Sequence, residues 1–135
     1  MENHTFKDLP HFTIEGTMPS LNEYLAQIGR RPQIGGKLKR DYTDMAGWFI
    51  RRSLKNYQAQ KPIIIHYKFY EPNMKRDHDN VFCFASKCIQ DALQKCRVIK
   101  NDGWNDVLNF THTFELDRKN PRIEVYIEEV EDATV

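Results

Sequence analysis

Asp77 and Asp79 are the residues with the clearest capacity for chemistry, because they stand two apart in Arg76-Asp77-His78-Asp79-Asn80. In an extended segment, residues two apart point to the same side, so the two carboxylates can converge while His78 points away. Two ionised carboxylates about 5 Å apart repel by roughly 3 kcal/mol at an effective dielectric of 20. A hard cation, a nearby base or the positive end of a following helix would offset that repulsion. Asp102, in Asn101-Asp102-Gly103, enters from a second loop. Three oxygen ligands completed by water would suit Mg²⁺, with Mn²⁺ as a substitute, better than zinc. A plainer reading stands beside this one, in which Asp79-Asn80 only caps the helix after it.

Other chemistries have less support. Cys83, Cys88 and Cys96 are odd in number and form no CxxC pair, against a disulfide framework or a structural zinc site. His4, His11, His66, His78 and His112 lack paired zinc spacing, and His112 on an apolar strand face reads as a hydrogen-bonded core residue. There is no phosphate loop and no dinucleotide fingerprint. The N-terminus is polar and charged, and no run approaches the ~20 apolar residues of a membrane span, so a reducing cytoplasm and no membrane partner are expected.

The formal charge of +1 over 135 residues hides an asymmetry. From Arg30 to Lys61, nine basic residues stand against Asp41 and Asp44, a segment charge of +7, whereas Glu124 to Val135 carries Glu124, Glu128, Glu129, Glu131 and Asp132 and no basic residue. A polyanion would be drawn to the first region and repelled by the second. A solvated charged surface explains the same pattern equally well.

These residues have to be positioned by a single domain covering 1–135. His11–Gly16 alternates as a first strand, and Leu21–Ile28 suits a short helix with Ser20 as N-cap and Glu23 at the capping-box position. Gly29–Lys39, with three glycines and a proline, reads as a mobile loop. Asp41–Tyr57 has helical spacing in Met45, Trp48, Phe49 and Arg52. Ile63–Tyr70 is a strand, and Asn80–Cys96 is the clearest helix, with Phe82, Ala85, Ile89, Ala92 and Cys96 on one stripe. Residues 107–116 and 123–128 alternate and read as a terminal antiparallel hairpin. The expected fold is α/β (α+β), a small mixed sheet with packed helices and a C-terminal β-hairpin.

Arg76-Asp77-His78-Asp79-Asn80, then Lys87 and Asp91-Ala92-Leu93, then Val98-Ile99-Lys100-Asn101-Asp102, resemble in order the RusA family of Holliday junction resolvases. Pro19-Ser20-Leu21-Asn22-Glu23-Tyr24 is similar to that family's N-terminal segment, and the likeness runs from about residue 11 to 128. The resemblance implies a RusA-like fold and a homodimeric, Mg²⁺-dependent endonuclease cutting four-way DNA in recombination and repair, as found in prophages. It implies Asp77, Asp79 and Asp102 as catalytic metal ligands and Lys87 as a catalytic cation acting on phosphate or water. One departure is clear: the family lysine follows the Asp-Asn pair by three residues, whereas Lys87 follows Asn80 by seven. The four extra residues add about 6 Å of helical rise. For a nuclease, Arg76 beside the acids is the expected phosphate contact, with Lys37, Lys39, Arg40, Arg51 and Arg52 as a broader DNA surface. The rival expectations are a branched-DNA-binding accessory protein that does not cut, and a less selective branched-DNA nuclease.

Overall fold

In the computed structural model, residues 6–131 are described; His4 and the acidic tail from Asp132 lie outside them. The element order is β1 (His11–Glu15), α1 (Leu21–Arg30), α2 (Gly35–Leu54), β2 (Ile63–Glu71), α3 (His78–Lys95), β3 (Val107–Leu116) and β4 (Arg122–Glu129), with a 3-10 turn at Pro32–Ile34. The strands form one mixed sheet in the order β1-β4-β2-β3, so the chain is a small α/β fold of four strands and three helices.

Period-two burial marks the core-facing side of three strands. Ile63, Ile65, Tyr67 and Phe69 of β2 and Ile123, Val125 and Ile127 of β4 are all buried, as are Phe12 and Ile14 of β1. That face meets the helices: Tyr67 packs edge-on against Phe82 of α3, and α3 buries Val81, Phe84, Ala85, Cys88, Ile89, Ala92 and Leu93. Helices on one face of a sheet enclose one apolar layer. Across the sheet, β2 side chains of the opposite parity carry polar groups, with His66 held between Thr111 Oγ1 (2.7 Å) and Glu128 Oε1 (2.8 Å).

The expected terminal hairpin does not form. β3 pairs with β2 in parallel, β4 pairs with β2 and β1 antiparallel, and β2 lies between the two strands expected to be partners. The physical reason is burial. β4 has three residues to bury and takes a slot with neighbours on both sides, whereas β3 is exposed along most of its length and suits the edge. The link from β3 to β4 therefore passes the end of β2, where the Asp117 amide donates to the Glu71 carbonyl at 2.8 Å.

The helix starts also carry one correction. At α1 the capping box is complete, with Ser20 Oγ accepting from Glu23 N and Glu23 Oε1 accepting from Ser20 N. The glycine-rich stretch is not a long loop: α1 runs to Arg30 and α2 already begins at Gly35. Gly35 answers a close approach instead, since a Cβ there would meet Ile28 at 3.1 Å, and Tyr24 donates to its carbonyl. α3 ends with the Val98 amide donating to Leu93 O (2.9 Å) and the Arg97 amide to Gln94 O (3.0 Å). This closure puts Arg97 in the left-handed region at φ 64, a place glycine usually takes, at a cost of about 1 kcal/mol. No helix among the described residues is long and apolar enough to cross a membrane.

Candidate active site

The segment between β2 and α3 is set by Arg76. Its Nε and Nη2 donate to the two oxygens of Glu71 at 3.1 Å each, and Nη1 donates to Glu23 Oε1 and the Met18 carbonyl at 2.8 Å. Burial works against the guanidinium charge, but the bonds to Glu71 and Glu23 outweigh it and raise its pKa. The same cluster lowers the Glu23 pKa, chiefly through the Ser20 amide and then through Arg76. Arg76 is thus a clamp joining the end of β2 to the start of α1, rather than a side chain free to meet phosphate. Glu71, the buried acid closing an apolar strand, is the residue here that sequence reasoning passed over; a carboxylate at the end of such a strand, five before an arginine, was its signal.

Immediately after the clamp, Asp77 occupies the N-cap position of α3 with extended backbone (φ −71, ψ 146), yet its side chain makes no capping bond. Asp79 stands in the first turn and accepts only from the adjacent Asn80 amide, at 2.9 Å. Both are exposed. His78 points elsewhere, lying flat on Phe114 of β3 with ring centroids 4.0 Å apart. Asp77 is therefore left without a capping bond, Asp79 satisfies one first-turn amide, and the positive end of α3 favours negative charge beside it.

Asp102 is at the other end of the domain. α3 has 18 residues, on the order of 27 Å of helix, and the loop after it returns to the start of the sheet, where the Ile63 amide donates to the Asp106 carbonyl at 2.9 Å. A parallel β2-α3-β3 crossover must separate the entry of the helix from its exit in this way. Among the described residues, no group of three or more His, Cys, Asp or Glu side chains is placed to hold a metal ion. The expected Mg²⁺ or Mn²⁺ centre on Asp77, Asp79 and Asp102 is corrected accordingly. The sequence signal that was available is the length of α3, which sets Asp77 and Asp79 far from Asp102.

The remaining candidates are dispersed. Lys87 is exposed on α3, two turns beyond Asp79, or about 12 Å of rise. Asp91 bonds Lys39 of α2 at 2.5 Å, and this contact raises the Lys39 pKa against the effect of burial. Lys37 pairs with Asp41 at 2.8 Å, the Arg52 guanidinium sits 5.0 Å from the Trp48 ring centre, and Arg40 and Arg51 are exposed along α2. The three thiols are free; burial pushes Cys88 up to about 11, while Cys83 is exposed on α3.

No family model matches this chain, and no curated protein matches it.

Proposed function

We propose that the chain is an endonuclease of the RusA kind, cutting four-way and related branched DNA as a homodimer in the cytoplasm. The observation that carries this reading is the pair Asp77 and Asp79, both exposed at the start of α3 and Asp77 without a capping bond, in the ordered set of residues that resembles that family. One carboxylate of the pair would take a proton from the water that attacks phosphorus, while the P–O bond to the 3′-oxygen breaks and that oxygen leaves with a proton from solvent. The exposed cations Lys87, Arg40 and Arg51 would supply phosphate contacts.

The homodimer rests on β3. It is a ten-residue edge strand whose Leu108, Phe110 and Leu116 remain 38%, 40% and 56% exposed. A long apolar edge is a template for pairing with another strand. Antiparallel pairing about a two-fold axis at His112 would set Phe110 opposite Phe114 and Leu108 opposite Leu116, a self-complementary register. The same operation turns the start of one β3 toward the end of the other. It would carry Asp102 of the partner subunit to the end of the sheet where Asp77 and Asp79 stand.

The test is incision of an end-labelled synthetic four-way junction, in buffers with and without divalent salts. Symmetrically paired cuts are expected, with Asp77→Asn and Asp79→Asn slowed about 100-fold or more while helix content and DNA binding persist. Incision by both variants at the parent rate would contradict the reading. The separation of Asp102 from the pair within one chain favours a second account, in which the protein binds branched DNA without cutting. Tight junction binding with no incision under any buffer would select it.

A further inference from the structure

The end of the molecule away from Asp77 holds a groove of about 750 Å³ between the link into β2, the end of α3 and the loop before β3. Its wall carries Lys61, Arg97 and Lys100 with Asp106, and amides such as Gln58 and Asn105 between them. At the Lys61 side, Glu129 accepts from the Gln60 and Lys61 backbone amides. Lys61 is held by Glu131 at 2.7 Å, while Arg97 and Lys100 are exposed. In the loop that supplies Asn105 and Asp106, Trp104 is 92% exposed, the most exposed large apolar side chain described.

We infer that this groove binds an unpaired strand of DNA, with Arg97 and Lys100 on its phosphates and Trp104 stacked on a base. Three features support this ligand. Arg97 adopts a left-handed backbone where glycine would be unstrained, so the chain keeps a long cationic side chain at a conformational cost. The cations lie in a groove that can follow a phosphate backbone, and the indole offers the flat face that any unpaired base can use. The interleaved amides add hydrogen-bonding capacity without adding charge. A duplex keeps its bases stacked on one another and leaves Trp104 without that partner.

The inference deepens the proposed function by naming an unpaired strand, as at a branch, as the part of the substrate held at this end. It can be tested without incision, by fluorescence anisotropy of a labelled oligothymidylate and of a blunt duplex. The parent should prefer the single strand. Trp104→Ala should weaken that binding about tenfold or more and leave duplex binding nearly unchanged. Arg97→Gly should raise the melting temperature by a few degrees, since it relieves the left-handed strain, and still weaken strand binding. Arg97→Gly and Lys100→Ala should each flatten the salt dependence by about 0.7 in log–log slope.

Single-strand binding by these variants equal to the parent's, beside intact four-way junction binding, would overturn the groove alone. Failure of the parent to bind any DNA would overturn both the groove and the proposed function. Dissociation of a dimer by Trp104→Ala would assign the indole to a subunit contact and also overturn the inference. Strand binding lost in the variants of a protein that cuts nothing would support the groove and remove only the nuclease reading.

Discussion

The two ends of α3 carry opposite chemistry. At its start, Asp77 and Asp79 are exposed acids beside the positive end of the helix, on a segment pinned by the Arg76 clamp. At its exit, Arg97 and Lys100 line a groove, and the loop that closes it through Asn105 and Asp106 also carries the exposed Trp104. Charge at both ends complements the helix dipole, which acts only over the first and last turns. The dipole does not explain the rest: Asp77 declines the capping bond open to it, and Arg97 occupies a backbone region that disfavours it. The acids and the cationic groove are held apart by the length of one helix. A second copy turned about β3 is what would bring the two ends together.

The largest effect is expected from dismantling the clamp at the acid end. Arg76→Ala leaves the buried Glu71 carboxylate without its two guanidinium bonds. A loss of about 3 kcal/mol in unfolding free energy is expected, because removing one partner of a largely buried pair strands the other. Urea denaturation measures it, and a loss below about 1 kcal/mol would show that water replaces the clamp. A smaller effect is expected at the edge strand. Leu108→Glu with Leu116→Glu places like charges opposite one another in the proposed register and should weaken dimerisation at least about tenfold, read by sedimentation. An unchanged sedimentation profile would remove β3 as the subunit contact.

The smallest effect is on acid stability. The Ser20 amide and Arg76 hold the Glu23 carboxyl below the ordinary glutamate range. A group with a depressed folded-state pKa adds stability that is present above its unfolded value, about pH 4, and is lost as the pH falls through the folded one. Glu23→Gln should therefore lower the melting temperature slightly at neutral pH and flatten its fall below about pH 4. A parallel fall in parent and variant would place the acid sensitivity elsewhere.

Much of the fold is legible in the chain because burial writes it residue by residue. The apolar alternation of β1, β2 and β4, the stripe on α3 and the capping box at Ser20 each arise from local spacing. Pairing does not. The residues 107–116 and 123–128 alternate well enough for a hairpin, and only the competition for the buried slot beside β2 sends β3 to the edge. Gly35 shows the same limit: its helix packing against Ile28 is a property of two segments at once, and a glycine-rich sequence alone reads as a loop. At the candidate site, the exposed acids were visible in the DxD spacing. Their distance from Asp102 follows from the length of α3, which is legible in the chain, together with the parallel crossover, which is not.

The shared site can be tested most directly by mixing two variants. Asp77→Asn and Asp102→Asn chains, each expected to cut poorly alone, should be unfolded together, refolded and assayed on a four-way junction. If the acids come from two subunits, a mixed dimer contains one site with both acids intact, and incision of one strand should return. If mixing restores nothing while the variants demonstrably exchange subunits, the site is not assembled across β3 and the account fails.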